Sequence, residues 1–149
     1  MMTRKLISWF LKNVLLGAIP LAAELVIRWA AGQAAFGSEK NIPELMFLIA
    51  LVNLGTADDV ERASEVLHET NEAEKALKES FTNWHNLLMF GMVFASLFFG
   101  GYLFADTVGT GNKEFLPRIL LVAWIITALF LVLSLIAEIF INRNTNKSN

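Results

Sequence analysis

The segment between Arg118 and Glu138 contains no charged residue, and this run constrains the fold more than any other feature of the chain. About twenty residues of α-helix cross the ~30 Å hydrocarbon core of a bilayer. Residues 84–105 and 116–141 are long and apolar enough to do so. Because an unpaired backbone group is costly in hydrocarbon, both segments are expected to be helical. The sequence therefore predicts an integral membrane protein.

Two further apolar segments precede these. Residues 13–31 carry Pro20 at their centre, and residues 43–57 are apolar but short. Only 17% of the chain is charged, whereas about a quarter is usual for soluble proteins. We expect one all-α domain over residues 1–149, an integral membrane four-helix bundle with spans at about 13–31, 43–57, 84–105 and 116–141.

The distribution of lysine and arginine predicts the orientation, because cytoplasmic loops carry an excess of both. With four spans and a cytoplasmic N-terminus, eight basic residues lie inside and four lie outside. If residues 43–57 do not cross, the count becomes five inside and seven outside. The rule favours four spans with both termini in the cytoplasm, and we expect the membrane to be a bacterial inner membrane.

The N-terminal residues 1–12 place Ile7, Trp9 and Phe10 among charged residues. This pattern predicts an amphipathic lead-in that lies at the membrane surface. Tryptophan favours the membrane interface, so Trp9 is expected to lie at the inner, cytoplasmic interface.

Residues 57–83 form the one substantial segment outside the predicted bilayer. Residues 56–83 hold eight acidic and three basic side chains, a net charge of −5, and no proline. Their composition and apolar spacing predict a short helical cytoplasmic hairpin between the second and third spans. Thr56 or Ala57 is expected to begin a new helical turn, and the apolar stripe lapses around Glu69 to Asn71, where we expect the turn of the hairpin.

The acidic hairpin has two interpretations. It is either a solvated connector or a docking surface for a basic cytoplasmic partner, because acidic surfaces are repelled by the anionic leaflet and steer basic proteins. In the second interpretation the partner-binding residues are Asp58, Asp59, Glu61, Glu65, Glu69, Glu72 and Glu74.

Among the polar residues inside the predicted spans, the candidates for a function are Glu24, Arg28, Asn53 and Glu138. Glu24 and Arg28 lie four residues apart on one helix face and can form an ion pair. Ionisable residues within spans are candidates for functional sites, so the pair is either structural or part of a pore or ion relay. Asn53 is expected to form a hydrogen bond with a neighbouring helix, and Glu138 lies near Asn142 at the cytoplasmic end.

The third span carries small residues at four-residue spacing, Gly91 with Ala95 and Ser96 with Gly100. Such spacing allows helix backbones to approach closely, within one chain or between copies. The phenylalanines around these positions either pack or face lipid, or they gate a pore in an oligomer.

The composition removes several classes of function. The chain has no cysteine, only two histidines and a net charge of −2. These numbers argue against thiolate metal sites, histidine-rich metal sites and direct nucleic-acid binding. No phosphate-binding loop, nucleophile elbow or HExxH motif is present. We expect a protein without enzymatic activity, cofactor or metal.

In span count and in the placement of its cytoplasmic hairpin, the chain resembles the small membrane subunits of bacterial anti-phage defence operons of the KwaA (Kiwa) type. The resemblance implies an oligomeric membrane sensor that holds or releases a soluble partner. The first functional hypothesis is therefore a membrane scaffold or sensor, bound to lipid and to a soluble cytoplasmic protein. The alternative is a homo-oligomeric ion channel or holin-like pore.

Overall fold

The computed structural model describes residues 2–32, 42–67, 70–107 and 115–145. Within these ranges the chain forms helices joined by turns, and no β-strand is present. The helices, in chain order, are α1 (Met2–Trp9), a π-helical segment (Phe10–Leu15), α2 (Leu16–Ala30), α3 (Ile42–Glu65), α4 (Glu72–Thr107) and α5 (Phe115–Thr145).

The first three elements form one continuous helical stretch from Met2 to Ala30. Two residues after the end of this stretch, Gly32 adopts a left-handed conformation with φ of 68°. The Gly32 backbone N–H donates to the Trp29 carbonyl over 3.1 Å, a C-terminal arrangement that glycine permits without steric cost. The predicted lead-in is thus a helix that continues directly into the first apolar segment.

Helix α3 is the central helix of the fold. Ile42, Leu45, Ile49 and Asn53 on one side of it are completely buried. It contacts α2, the π-helical segment, α4 and α5. Because neighbouring helices surround α3, fewer of its side chains face outward than in a helix that is exposed to lipid on most sides.

The predicted new turn at Thr56 or Ala57 is absent, and α3 passes through this point without a break. A Cβ atom built at Gly55 would overlap the side chain of Asn13 from the π-helical segment. Gly55 therefore permits close contact between two helices and does not end α3.

Two apolar clusters place α3 alongside α4 and α5 at both of its ends. At the end far from the hairpin, Ile42 and Leu45 share a cluster with Tyr102 of α4 and Leu120 of α5. At the hairpin end the cluster comprises Ala57, Val60, Ala63, Phe81, Leu88, Ala137 and Ile141. Helix α3 is consequently flanked by α4 and α5 at both of its ends.

Three helices are long and apolar enough to cross a membrane, judged by length and composition: Lys5–Ala30, Glu72–Phe104 and Arg118–Thr145. Helix α3 is not among them, because its second half carries the charged residues Asp58, Asp59, Glu61, Arg62 and Glu65.

The distribution of polarity around α5 is the reverse of that in a water-soluble protein. Thr127 and Ser134 are buried, whereas Leu121, Ile125 and Leu129 are more than half exposed. A helix that turns its apolar side chains outward and its polar side chains inward suits a lipid environment.

Candidate functional site

The hairpin turn is closed by a cap at the start of α4. The Asn71 side-chain oxygen accepts a hydrogen bond from the Glu74 backbone N–H over 2.9 Å. The Glu74 carboxylate in turn accepts hydrogen bonds from the backbone N–H and the hydroxyl of Thr70, over 2.9 and 2.8 Å. This reciprocal arrangement satisfies donors that a helix N-terminus otherwise leaves unpaired. Glu74 therefore has a structural role in the turn.

Three other acidic residues of the predicted docking set form ion pairs within the chain. Asp58 contacts Arg62 over 2.9 Å, and Glu72 contacts Lys75 over 2.9 Å. Asp59 lies 3.8 Å from Lys12 of the N-terminal helical stretch. These pairs reduce the charge that the hairpin presents to a partner, although exposed pairs contribute little to stability. Glu69 lies outside the described residues.

Glu61 and Glu65 are the remaining members of the set, and both are exposed on one face of α3. They line a groove of about 300 Å³ between the end of α3 and the start of α4. Lys78, Thr82 and His85 of α4 line the opposite side. The buried Phe81 lies at its base, and the His85 Nδ1 atom is 3.3 Å from the Ala57 carbonyl oxygen. The groove presents two carboxylates above an aromatic side chain, and we call it the hairpin groove.

Buried hydrogen bonds join the N-terminal helical stretch and α5 to α3. The Trp9 indole N–H donates to the Thr56 hydroxyl over 3.0 Å, and this hydroxyl donates to the Val52 carbonyl over 2.8 Å. The Ser134 hydroxyl donates to the Asn53 side-chain oxygen over 2.9 Å. Asn53 therefore bonds to a neighbouring helix. Trp9 is 5% exposed and packs against α3, so its side chain is shielded by protein.

A polar cavity of about 380 Å³ lies at the hairpin end, between α1, the π-helical segment, α3 and α5. It is lined by two lysines, two acidic residues, three other polar residues and the side chains of Trp9 and Ile141: Lys5, Ser8, Trp9, Lys12, Asp59, Glu138, Ile141, Asn142 and Thr145. We call it the headgroup-side cavity. Sequence reasoning placed Glu138 near Asn142 but did not connect either residue with Lys5, Lys12 or Asp59, which are distant along the chain.

Glu138 is buried in the wall of this cavity, with 6% of its surface exposed. Its Oε1 atom accepts a hydrogen bond from the Asn142 side-chain amide over 2.7 Å. Its Oε2 atom is buried and has no hydrogen-bond partner among the residues that the structure describes. A buried carboxylate oxygen without a partner is energetically costly, so this atom is a candidate contact for a ligand.

A second charged cluster lies at the far end of the fold. The Arg28 guanidinium contacts the Glu24 carboxylate over 2.6 Å, and both side chains are largely shielded, 12% and 20% exposed. Glu44 of α3 faces this pair. The sequence predicted the pair but not the second carboxyl group, because Glu44 belongs to a different helix. Arg28 therefore balances carboxyl groups from two helices.

The small residues of α4 separate into two faces. Gly91 and Ala95 are buried, and a Cβ atom built at Gly91 would overlap the Phe130 ring and the Asn53 side chain. Ser96 and Gly100 are exposed, and a Cβ atom at Gly100 would meet no other atom within 4 Å. Among the residues that the structure describes, the first pair is packed against neighbouring helices and the second is exposed.

The described residues contain no group of three or more His, Cys, Asp or Glu side chains that could hold a metal ion. Comparison of the chain with protein-family models, curated proteins and solved structures found no match. The features of the described residues that could serve a function are the hairpin groove, the headgroup-side cavity and the exposed apolar surface.

Proposed function

We propose that this chain is a non-enzymatic membrane scaffold or sensor that crosses the bilayer four times and binds a soluble cytoplasmic protein. The hairpin groove is the docking site, and the partner presents a basic segment to it. The single observation that supports docking most strongly is the pair of exposed carboxylates, Glu61 and Glu65, on the wall of this groove.

The packing of α3 supports four crossings. Helix α3 contacts apolar segments of α4 and α5 from Ile42 at one end to Ala63 at the other. Its 24 residues correspond to roughly 36 Å of helix, of which the part before Asp58 accounts for roughly 24 Å. If α4 and α5 cross the membrane, α3 crosses beside them, and the polar side chains of Asn53 and Thr56 are shielded by protein. Both termini and the hairpin then lie on the cytoplasmic side of a four-helix bundle.

The remaining hairpin charges support a specific docking face within the acidic segment. Asp58, Asp59, Glu72 and Glu74 are each held by an intramolecular partner. Glu61 and Glu65 lie one helical turn apart on one wall of the groove, and Lys78 lines the opposite wall. A lysine or arginine side chain can place its charge between the two carboxylates and lay its aliphatic stem along the groove.

The exposed face of α4 supports assembly of several copies. Ser96 and Gly100 lie on this face beside Leu97, which is 70% exposed. Small residues at this spacing allow close contact with a second helix in a membrane. We propose that α4 forms the contact between copies. Replacing Gly100 with leucine should then reduce the oligomer mass in mild detergent, and an unchanged mass would contradict this contact.

Because the layout of the chain resembles that of KwaA-type subunits, we extend the proposal to a role in anti-phage defence. In that setting the membrane bundle senses a disturbance of the envelope, and the soluble partner carries out the response. Loss of phage resistance in host cells that express the groove variant described below would support this role. Full resistance in those cells would contradict it.

The docking proposal is tested by purifying the chain from its host in mild detergent and identifying stoichiometric soluble proteins. The test variant combines Glu61→Lys with Glu65→Lys. The control combines Glu72→Lys with Glu79→Lys, which makes the same change in charge on the same hairpin but outside the groove. We expect the partner to be lost only from the test variant.

A homo-oligomer without partner, or a partner retained equally by both variants, would contradict docking through this groove. In the first case the pore hypothesis gains support if the purified chain conducts ions in a planar bilayer and Glu24→Gln alters that conductance. The scaffold proposal expects no conductance from the chain alone.

A further inference from the structure

We propose that the headgroup-side cavity binds the headgroup of phosphatidylethanolamine from the cytoplasmic leaflet. This ligand carries one primary ammonium group and one phosphate group on a lipid. The proposal rests on the membrane placement given above, but it concerns a site and a ligand separate from the hairpin groove. Its test is designed so that the two proposals can fail independently.

The ammonium end of the ligand is assigned to Glu138. The Oε2 atom of this carboxylate is buried in the cavity wall and has no hydrogen-bond partner among the described side chains and backbone. A primary ammonium group offers three N–H donors, one of which would supply the missing hydrogen bond. Asp59 lines the same cavity and provides a second acceptor.

The phosphate end is assigned to the two lysines of the N-terminal helical stretch. Lys5 and Lys12 both line the cavity and are exposed at its mouth, where the Lys12 side chain is 54% exposed. The Ser8 hydroxyl lines the wall beside them. Two lysines and a hydroxyl group offer the donors that a phosphate requires. Lys12 lies 3.8 Å from Asp59, a separation long enough for it to move toward a bound phosphate.

The balance of charge favours a zwitterion over an anionic lipid. Lys5 and Lys12 contribute two cationic groups to the cavity, and Asp59 and Glu138 contribute two carboxyl groups. An anionic headgroup such as phosphatidylglycerol offers hydroxyl donors to Glu138 but no positive charge, and it would add a net negative charge beside the two carboxyl groups. Phosphatidylcholine carries a positive charge but no N–H or O–H donor, so it leaves the Glu138 Oε2 atom unpaired.

The position of the cavity matches the depth of lipid headgroups. Glu138 lies at the hairpin end of α5, immediately beyond the uncharged segment that begins after Arg118. Ile141 and Trp9 form part of the lining. The cavity thus lies where the apolar surface ends and charged side chains begin, which is the position of a headgroup in the leaflet.

The test uses the purified full chain in detergent with three short-chain lipids that have identical acyl chains and carry ethanolamine, choline or glycerol headgroups. The measurement is the midpoint of thermal unfolding as a function of lipid concentration, because a ligand that binds the folded state raises this midpoint. We expect the ethanolamine lipid to raise it at the lowest concentration.

The variant Glu138→Gln keeps the size of the side chain and can still accept from Asn142, but it removes the carboxylate. We expect it to raise the concentration of ethanolamine lipid needed for half-maximal stabilisation by roughly tenfold or more, and to abolish the preference over choline lipid. Glu72→Gln, on the exposed hairpin turn, is the matched control and should retain the preference. If Glu138→Gln does not fold, Lys5→Gln provides the second test, with weaker stabilisation by ethanolamine and choline lipids alike.

Equal stabilisation of the unsubstituted chain by all three lipids would overturn the proposal, and so would a preference that survives Glu138→Gln. A chain that remains soluble and monodisperse without detergent would instead contradict the membrane placement. Loss of the soluble partner with an intact lipid preference would affect only the docking proposal.

Discussion

The Ser134 hydroxyl of α5 donates a hydrogen bond to the Asn53 side-chain oxygen of α3 over 2.9 Å, and both residues are completely buried. They lie 81 positions apart in the sequence. The bond fixes the central helix against α5 midway between the two apolar clusters. It satisfies the oxygen of the Asn53 amide, whereas the amide nitrogen is buried without a hydrogen-bond partner among the described residues.

Replacing Ser134 with alanine should destabilise the folded chain by about 1 kcal/mol. The substitution leaves the Asn53 oxygen buried without a donor, and hydrogen bonds between membrane helices are worth about this much or somewhat less. The measurement is the free energy of unfolding in mixed detergent micelles. Ser96→Ala is the control, because the Ser96 hydroxyl is exposed and bonds only to the Met92 carbonyl of its own helix. Equal losses in the two variants would contradict a specific role for the Ser134–Asn53 bond.

Gly91 should tolerate no side chain. A methyl group at this position would overlap the Phe130 ring and the Asn53 amide, so Gly91→Ala should cost about 1–3 kcal/mol through overpacking. Gly101→Ala adds the same methyl group to the same helix where no other atom lies within 4 Å. This control should be neutral or slightly stabilising, because alanine favours helix. A neutral Gly91→Ala variant would show that α4 does not approach α3 and α5 as closely as described.

Arg28→Gln should destabilise the chain more than Glu24→Gln. Arg28 contacts the Glu24 carboxylate and faces Glu44, so its removal leaves two carboxyl groups facing each other without a cation. Removal of the Glu24 charge leaves Arg28 with Glu44. We expect a loss of about 1–3 kcal/mol for Arg28→Gln, and a smaller loss for Glu24→Gln, in the same unfolding assay. Equal losses, or a larger loss for Glu24→Gln, would indicate that Glu44 is not part of this cluster.

Trp9 should be shielded from lipid. A variant that keeps Trp9 and replaces Trp29, Trp84 and Trp124 with phenylalanine reports on this side chain alone. Because Trp9 is 5% exposed and bonded to Thr56, brominated lipids should quench its fluorescence weakly. A matched variant that keeps only Trp29, which is 76% exposed, should be quenched strongly. Strong quenching of Trp9 would contradict the packing of its side chain against α3.

The helices of the apolar segments could be predicted from sequence because they depend on the residues of each segment and not on contacts with distant residues. Residues 84–105 and 119–137 contain no charged residue and no proline, and α4 and α5 contain these two segments. The path of α3 through Gly55 could not be predicted in this way. A glycine followed by two aspartates resembles a helix boundary, and only the contact with Asn13 reveals its role.

The candidate sites depend on contacts between residues that are distant in sequence. Trp9 and Thr56 lie 47 positions apart, so no periodicity could indicate that the indole is buried. The sequence does not distinguish the acidic residues of the hairpin from one another, because ion pairing depends on which side chains meet in the folded chain. The structure separates Asp58, Asp59, Glu72 and Glu74, which have partners within the chain, from Glu61 and Glu65 in the hairpin groove.

The most direct test of the account is the side of the membrane on which the hairpin lies. The chain contains no cysteine, so Ala76→Cys places a single thiol on an exposed position of the hairpin. Four crossings place this thiol on the same side as a tag added at the N-terminus. A membrane-impermeant maleimide should therefore leave Ala76→Cys unlabelled in intact spheroplasts and label it in inverted vesicles, where the N-terminal tag is also accessible. Labelling in spheroplasts while the tag stays protected would mean that α3 does not cross, and would contradict cytoplasmic docking.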